Sequence, residues 1–427
     1  MNKNYGYLNK CTFLIFTIIL LNGYSFSIEA QSLEKQEPIV FGVKDSIYSK
    51  VLKEQREIWI HVPQNEGNIL FEKSIYPVVY LLDGDAHFYS VTGMIKQLSS
   101  VNGNRICPEM IVVGIPNTDR NRDLSPTRME NRRNSGGGEA FTSFLKDELM
   151  PYIESKYPTK PYRTLIGHSL GGLMVINTLI NHQELFNNYI AIDPSLWWDD
   201  QKILKQSIKA LENKKFDKKS LYVSIANTMK KGMDTIRIMK DTSRSAEHIR
   251  SIFKFKNNAL SNSKNKLNFK WKYYEKETHG SVPLISEYDA LRFLFPWYEF
   301  KGFQEFFNSE LTVTASDFIN RITKHYDNMS NHFGYTVTPD ESLINQFGYS
   351  FIGDTANSKT HEISYAFFKL NIKNYPKSAN VYDSMGDYYK TQSDTIKAIQ
   401  MFEKAYAIGK SRFTKSKLEK LKAKKTN

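Results

Sequence analysis

The chain has 427 residues, 41% hydrophobic and 13% aromatic, enough to bury a large core in two or three domains, which excludes a disordered or fibrous polymer. Its formal charge is +13, yet from Lys410 to the end eight basic residues stand against Glu419 alone. That local net +7 is over half of the excess, so the charge describes a solvated tail and argues against a nucleic-acid surface.

Residues 1–30 carry Lys3 and Lys10, an apolar run from Cys11 to Leu21, and Ile28-Glu29-Ala30. This is the pattern of a secretory signal peptide, with a run too short to cross a bilayer core of about 30 Å. No cysteine follows at a lipoprotein cleavage position, and removal of the segment leaves Cys107 as the last cysteine. The expectation is a periplasmic or secreted protein with no disulfide and no integral membrane span.

Two strands, Asp45–Ser49 and Arg56–Val62, are expected first, the second alternating as Ile58-Trp59-Ile60-His61-Val62. Short continuous apolar runs then recur at Val78–Leu82, Met110–Ile115, Thr164–Ile166, Tyr189–Ile192, Leu221–Ala226 and Phe269–Tyr274. Helix-length intervals such as Phe141–Ile153 separate them, which predicts an α/β architecture with a mainly parallel sheet covered on both faces. Ligands in such sheets sit at the carboxyl ends of the strands, so the residues after each run carry the functional expectation.

After the first of these runs stands Asp83-Gly84-Asp85, a turn where glycine permits close backbone approach. After the next lies Asp119-Arg120-Asn121-Arg122-Asp123, whose dense charges suggest a rigid rim or substrate-binding loop containing Arg120; the glycines of 131–138 suggest a lid. Then comes Gly167-His168-Ser169-Leu170-Gly171, between a strand-length run and an apolar helix pattern. Gly-x-Ser-x-Gly in that context is a nucleophile elbow, with Ser169 as candidate nucleophile. The matching oxyanion donors are the backbone amides of Leu170 and of Asp85, with Gly84 as the neighbouring option. His168 is expected to be structural.

Asp193-Pro194-Ser195-Leu196-Trp197-Trp198 brings two tryptophans to a strand end, as pocket wall or core. A serine nucleophile needs a base and an orienting acid, in the order Ser, Asp or Glu, His. His279, just beyond the last strand, is the expected base. Asp234, the first carboxylate in the loop after Leu221–Ala226, is the expected acid, with Asp193 second and a Ser/His dyad third. No HExxH motif or close His pair suggests a metal, and no cofactor is expected.

Near the C-terminus, Tyr382, Met385, Gly386, Tyr389, Ala398, Phe402 and Ala405 have spacings that resemble a tetratricopeptide repeat. A poorer copy with Gly348, Tyr349, Ser364 and Phe368 fits if about four residues around Asp354–Asn357 are inserted. Two repeats are few, so packing on the larger domain or a protein partner is expected. The expected layout is 1–30 signal peptide, 31–300 α/β domain, 301–342 helical linker, 343–412 repeats and 413–427 basic tail.

Tyr80-Leu81-Leu82-Asp83-Gly84-Asp85, the Asp119–Asp123 loop, Gly167–Gly172, Pro194–Trp198 and His279-Gly280-Ser281-Val282-Pro283 together resemble the putative esterase family. That family is similar to esterase D and to the enterobactin-type siderophore esterases, and the resemblance runs from about Pro38 to Phe300. It implies an α/β-hydrolase fold and a serine esterase acting on a small-molecule ester. The family also includes mycolyltransferases, which keeps an acyltransferase in view, and a non-catalytic binding protein working through its repeats is the other alternative. Siderophore esterases tend to have Ser where this chain has Asp193.

Overall fold

The computed structural model describes residues 38–63, 74–301, 313–352 and 358–426. The expected signal peptide, residues 302–312 of the expected linker and the insertion expected around Asp354–Asn357 lie outside them. From Gly42 onward the chain forms one unit.

Eight strands, β1 Val43–Ser49, β2 Glu54–His61, β3 Tyr76–Leu82, β4 Ile111–Ile115, β5 Thr159–His168, β6 Asn188–Ile192, β7 Ser220–Ala226 and β8 Asn268–Tyr274, make one sheet. Their order is β1-β2-β4-β3-β5-β6-β7-β8. The first two pairings are antiparallel and all later ones parallel. Every residue of β3, β4 and β6 is buried, as helices on both faces require of continuous apolar runs. β8 departs from that expectation: it is an edge strand with alternating exposure, and Lys270 and Lys272 keep its open face in water.

The helices α1 Gly84–Ser99, α2 Leu170–Asn181, α3 Trp198–Asn213, α4 Glu247–Ser261 and α5 Val282–Leu294 cover the two faces. Alternation along β3 sorts its side chains: Val78, Tyr80 and Leu82 join the core with Leu173 of α2, Leu204 of α3 and Ile252 of α4. Val79 and Leu81 join the opposite core with Phe88 and Ile95 of α1 and Leu291 of α5.

The C-terminal region is all helical: α6 Ala315–Phe333, α7 Glu341–Ser350, α8 Ser358–Asn374, α9 Ala379–Thr391, α10 Thr395–Gly409 and α11 Arg412–Thr426. Thr314 and Asp317 form a reciprocal capping box at the start of α6, and Gly334 ends it at φ 77°. Met329 and Phe333 of α6 enter the α1/α5 core. There the Phe333 ring meets Tyr162 and Trp297, each at 4.9 Å. The segment expected as a frayed basic tail is instead helix α11, because α9 offers it acids: Lys417 Nζ reaches Asp383 at 2.5 Å and Asp387 at 2.6 Å. Its buried Leu418 adds an apolar contact with Phe402 of α10.

Candidate active site

Because β3 to β8 run parallel, their carboxyl ends lie along one edge of the sheet, and the turn between β5 and α2 stands there. Ser169 holds φ 60° and ψ −112°, a conformation that costs a non-glycine residue about 1–3 kcal/mol. Its surroundings fix it. The Ser169 N–H donates to Ile192 O at 2.9 Å, and its carbonyl accepts from Ser195 N and Leu173 N, both at 3.0 Å. A Cβ on Gly167 would lie 2.4 Å from Gly171 O, so strand and helix can cross this closely only with glycine there. Ser169 Oγ lies 3.2 Å from Ser195 Oγ.

The loop after β3 is shaped just as tightly. Asp83 takes φ 52°, and a Cβ on Gly84 would stand 2.4 Å from Ile115 N. Asp85 and Leu170 therefore fall in the first turns of α1 and α2, where backbone N–H groups have no partner within their own helix. Arg120 braces this loop against the elbow. Its Nε donates to Asp83 Oδ1 at 2.6 Å, and its Nη2 to Asp83 Oδ2 at 2.9 Å and His168 O at 3.2 Å. Asp83 takes the Nε–Nη2 edge of the guanidinium, so Arg120, expected to bind substrate, also braces the loop. Asn117 Nδ2 adds a third donor to Asp83, at 2.7 Å.

Asp193 and His279 form the other half. Asp193 is fully buried at φ 41° just past β6. Its Oδ1 accepts from Ala226 N at 2.9 Å, while its Oδ2 accepts from His279 Nδ1 at 2.6 Å and His248 Nε2 at 2.8 Å. Burial alone would push this carboxyl up, but the bonds from His248, His279 and the Ala226 amide outweigh it and hold the group well below the ordinary carboxylate range. With Nδ1–H of His279 committed to Asp193, Nε2 is the ring nitrogen left to accept a proton. The ring packs on His168 at 4.5 Å, which sets it beside the elbow.

The carboxylate paired with His279 is thus Asp193 and not Asp234, the first choice from the sequence. Asp234 is half exposed, and its Oδ1 caps the local turn by accepting from Ile236 N at 2.9 Å and Arg237 N at 2.7 Å. A short carboxylate finds its own backbone more readily than a partner across a loop. Asp193, the second choice, needs no return of the chain.

His248, in the first turn of α4, was not foreseen, since a lone histidine on an amphipathic helix carries no motif. It creates the one three-ligand cluster among the described residues, Asp193, His248 and His279, with ligand atoms within 4.8 Å of one another. The fold supplies a pair that the sequence does not show as a motif: α4 brings the His248 ring centroid to 5.2 Å from that of His279.

His168 is buried enough that its pKa falls to about 4, with His279 and His87 adding to the effect, so its ring stays neutral at ordinary pH. Trp198 is core, donating through Nε1 to Thr127 O at 3.0 Å; half-buried Trp197 stands beside it at 5.9 Å. The loop expected as a lid is tied down instead, since Gly136 N, Gly137 N and Gly138 N donate to Ser125 Oγ, Arg122 O and Ser125 O. Behind it Arg56, buried, binds Asp123 at 2.6 Å, and Asp123 also accepts from Arg122 at 2.7 Å, which makes the charged motif a rigid rim.

A family model described as "Putative esterase" matches residues 49–283, more than half of the chain. Ferri-bacillibactin esterase BesA of Bacillus subtilis is 34% identical over 154 residues, 31% of this chain and 52% of that protein. A siderophore enterobactin esterase of Emericella nidulans is 30% identical over 149 residues, 30% of this chain and 49% of that protein. The chain thus spans about half the length of these curated relatives. An IroE-like serine hydrolase from Shewanella oneidensis has a TM-score of 0.60 at 29% identity, covering 76% of this chain and 98% of that one. An uncharacterised protein from Capnocytophaga ochracea shares the fold, with a TM-score of 0.57 at 18% identity over 90% of this chain and 99% of that one.

Proposed function

This chain belongs to the putative esterase family, and on that footing we propose that it is an exported serine hydrolase that cleaves carboxylic esters through an acyl-serine intermediate. The observation that carries the reading is the pairing of His279 Nδ1 with the buried Asp193 carboxylate, at 2.6 Å, beside a serine held at a strained elbow. In this mechanism Ser169 Oγ turns from Ser195 and attacks the ester carbonyl while His279 Nε2 takes its proton. The amides of Asp85 and Leu170 receive the oxyanion. His279 gives the proton to the leaving alcohol, then draws one from water as that water attacks the acyl-serine, and returns it to Ser169 Oγ as the acid leaves.

The names of the siderophore esterases it resembles make catecholate siderophore esters the first substrates to test, and Trp197 offers an aromatic wall for such rings. Export rests on the composition of residues 1–30. No helix among the described residues is long and apolar enough to cross a membrane. For the C-terminal helices we favour two tetratricopeptide-like hairpins that dock a protein partner. A Cβ on Gly348 would lie 2.5 Å from the Phe368 ring and one on Gly386 2.6 Å from the Phe402 ring, so both hairpins cross at a glycine under a phenylalanine.

The test is initial-rate hydrolysis of p-nitrophenyl esters and triscatecholate siderophores, with product analysis in the presence of an alcohol acceptor. Free acid as the product, and its loss in Ser169→Ala, is the expected result. Transfer to the alcohol in preference to water would make the protein an acyltransferase, and full activity in Ser169→Ala would remove the elbow from the chemistry.

A further inference from the structure

We propose that Asp193, His248 and His279 form a site for one zinc-type divalent cation, and that its occupation switches the hydrolase off. The switching half rests on the function proposed above; the site itself does not.

Orientation of His279 explains only part of the arrangement. One donor from His279 and one from the Ala226 amide already hold the carboxylate, at 2.6 and 2.9 Å. The second imidazole, His248, points its Nε2 at the same oxygen at 2.8 Å. Two imidazole nitrogens and one carboxylate oxygen are the donor set of an open zinc site, with three protein ligands and a fourth position for water. The same set is too poor in oxygen for magnesium or calcium.

Distances fit that use. Zinc bonds of about 2.0–2.1 Å in a tetrahedron separate neighbouring ligand atoms by roughly 3.3 Å. The two nitrogen–oxygen separations need to open by well under an ångström, and all three atoms already lie within 4.8 Å of one another. The carboxylate is anchored to the β7 backbone, whereas the imidazole side chains of His248 and His279 are 19% and 41% exposed and can swing. The same exposure lets a cation enter from solvent.

Inhibition follows from the tautomers. A metal on Nδ1 of His279 takes the lone pair there and displaces the proton that Nδ1 shared with Asp193, so the neutral ring must carry its proton on Nε2. Nε2 then donates and cannot accept the Ser169 proton. The same cation occupies the oxygen that orients the base, so one binding event removes both base and orienter. The proton displaced from Nδ1 is balanced by the one carried at Nε2, and the same exchange on His248 moves its proton to Nδ1, so binding to the neutral rings releases no net proton and involves no redox step.

The experiment uses the full chain with Ser169→Ala, which keeps all three ligands and removes turnover. Zinc is titrated calorimetrically, and cobalt(II) is followed by its visible d–d absorption. One metal per chain with a tetrahedral cobalt spectrum is expected, and His248→Asn or His248→Gln in that background should weaken binding at least about 10–100-fold. In parallel, wild-type ester hydrolysis should fall ten-fold or more at saturating zinc and recover with EDTA. A His248→Asn enzyme, compared with its own zinc-free rate, should need at least ten-fold more zinc. Absence of stoichiometric binding, or binding unchanged by both His248 variants, overturns the site. Tight binding to Ser169→Ala with no zinc effect on wild-type turnover, or with no ester hydrolysis at all, keeps the site and overturns the switch.

Discussion

The two halves of the site are built by different means. The elbow and the loop after β3, proposed to hold the oxyanion, are backbone objects: Gly84, Gly167 and the positive φ of Asp83 and Ser169 dictate where amides and hydroxyl stand. The Asp193–His279 relay is a side-chain object, assembled from the ends of β6 and β8 with His248 of α4 closing on the same oxygen. A backbone frame is fixed by residues a few positions apart, whereas a relay depends on where distant segments meet. The first therefore leaves a short sequence motif even though distant segments pack around it, and the second is encoded only by the fold.

The comparison predicts different consequences for damage to each half. The largest loss comes where they join: Ser169→Ala or His279→Ala should lower kcat by at least about 10³-fold and by as much as about 10⁶-fold, and the double variant should add little. Near-additive effects would separate the two halves. A serine-directed phosphonate should label Ser169 alone, as mass spectrometry of digested protein will show. Loosening the frame comes next. Arg120→Met frees Asp83 and should lower kcat about 10²-fold through a misplaced oxyanion amide, with KM little changed. A rise in KM at constant kcat would instead make substrate binding the main role of Arg120.

The smallest effect concerns the wall behind the frame. Glu287 of α5 is buried, 3.7 Å from His87 of α1, and burial pushes its carboxyl up to about 8 against a weaker opposing bond from Ser90. The folded state therefore keeps a proton that the unfolded chain loses near 4.5. This group's stabilising share is complete below pH 4.5 and is lost as pH rises to about 8, beyond which nothing further changes. Glu287→Gln should match wild type at pH 4.5 and exceed its stability by up to about 5 kcal/mol at pH 9, read from thermal unfolding across that range. A gap that does not widen with pH would show that Glu287 is not held neutral.

The same contrast explains what the sequence made legible. The parallel sheet, the elbow and the position of His279 could be seen because each is a local pattern: apolar runs of strand length, glycines flanking one serine, a histidine directly after the last strand. Asp234 misled because loop position was visible and loop conformation was not; its side chain answers two amides of its own turn. The dense charges around Arg120 suggest a rim or binding loop, and only the fold supplies Asp83, 37 positions earlier, as its partner. His248 had no local signature, and the basic tail looked solvated until α9 placed Asp383 and Asp387 beside Lys417.

The acid is where a single comparison decides most. Asp193→Asn and Asp234→Asn should be measured side by side on one ester, with circular dichroism to confirm that both fold. Loss of a carboxylate that holds the histidine tautomer costs about 10⁴-fold in kcat, so Asp193→Asn should be nearly inactive while Asp234→Asn stays within about two-fold of wild type. An active Asp193→Asn enzyme would contradict the relay, and an inactive Asp234→Asn beside it would move the acid to the loop after β7.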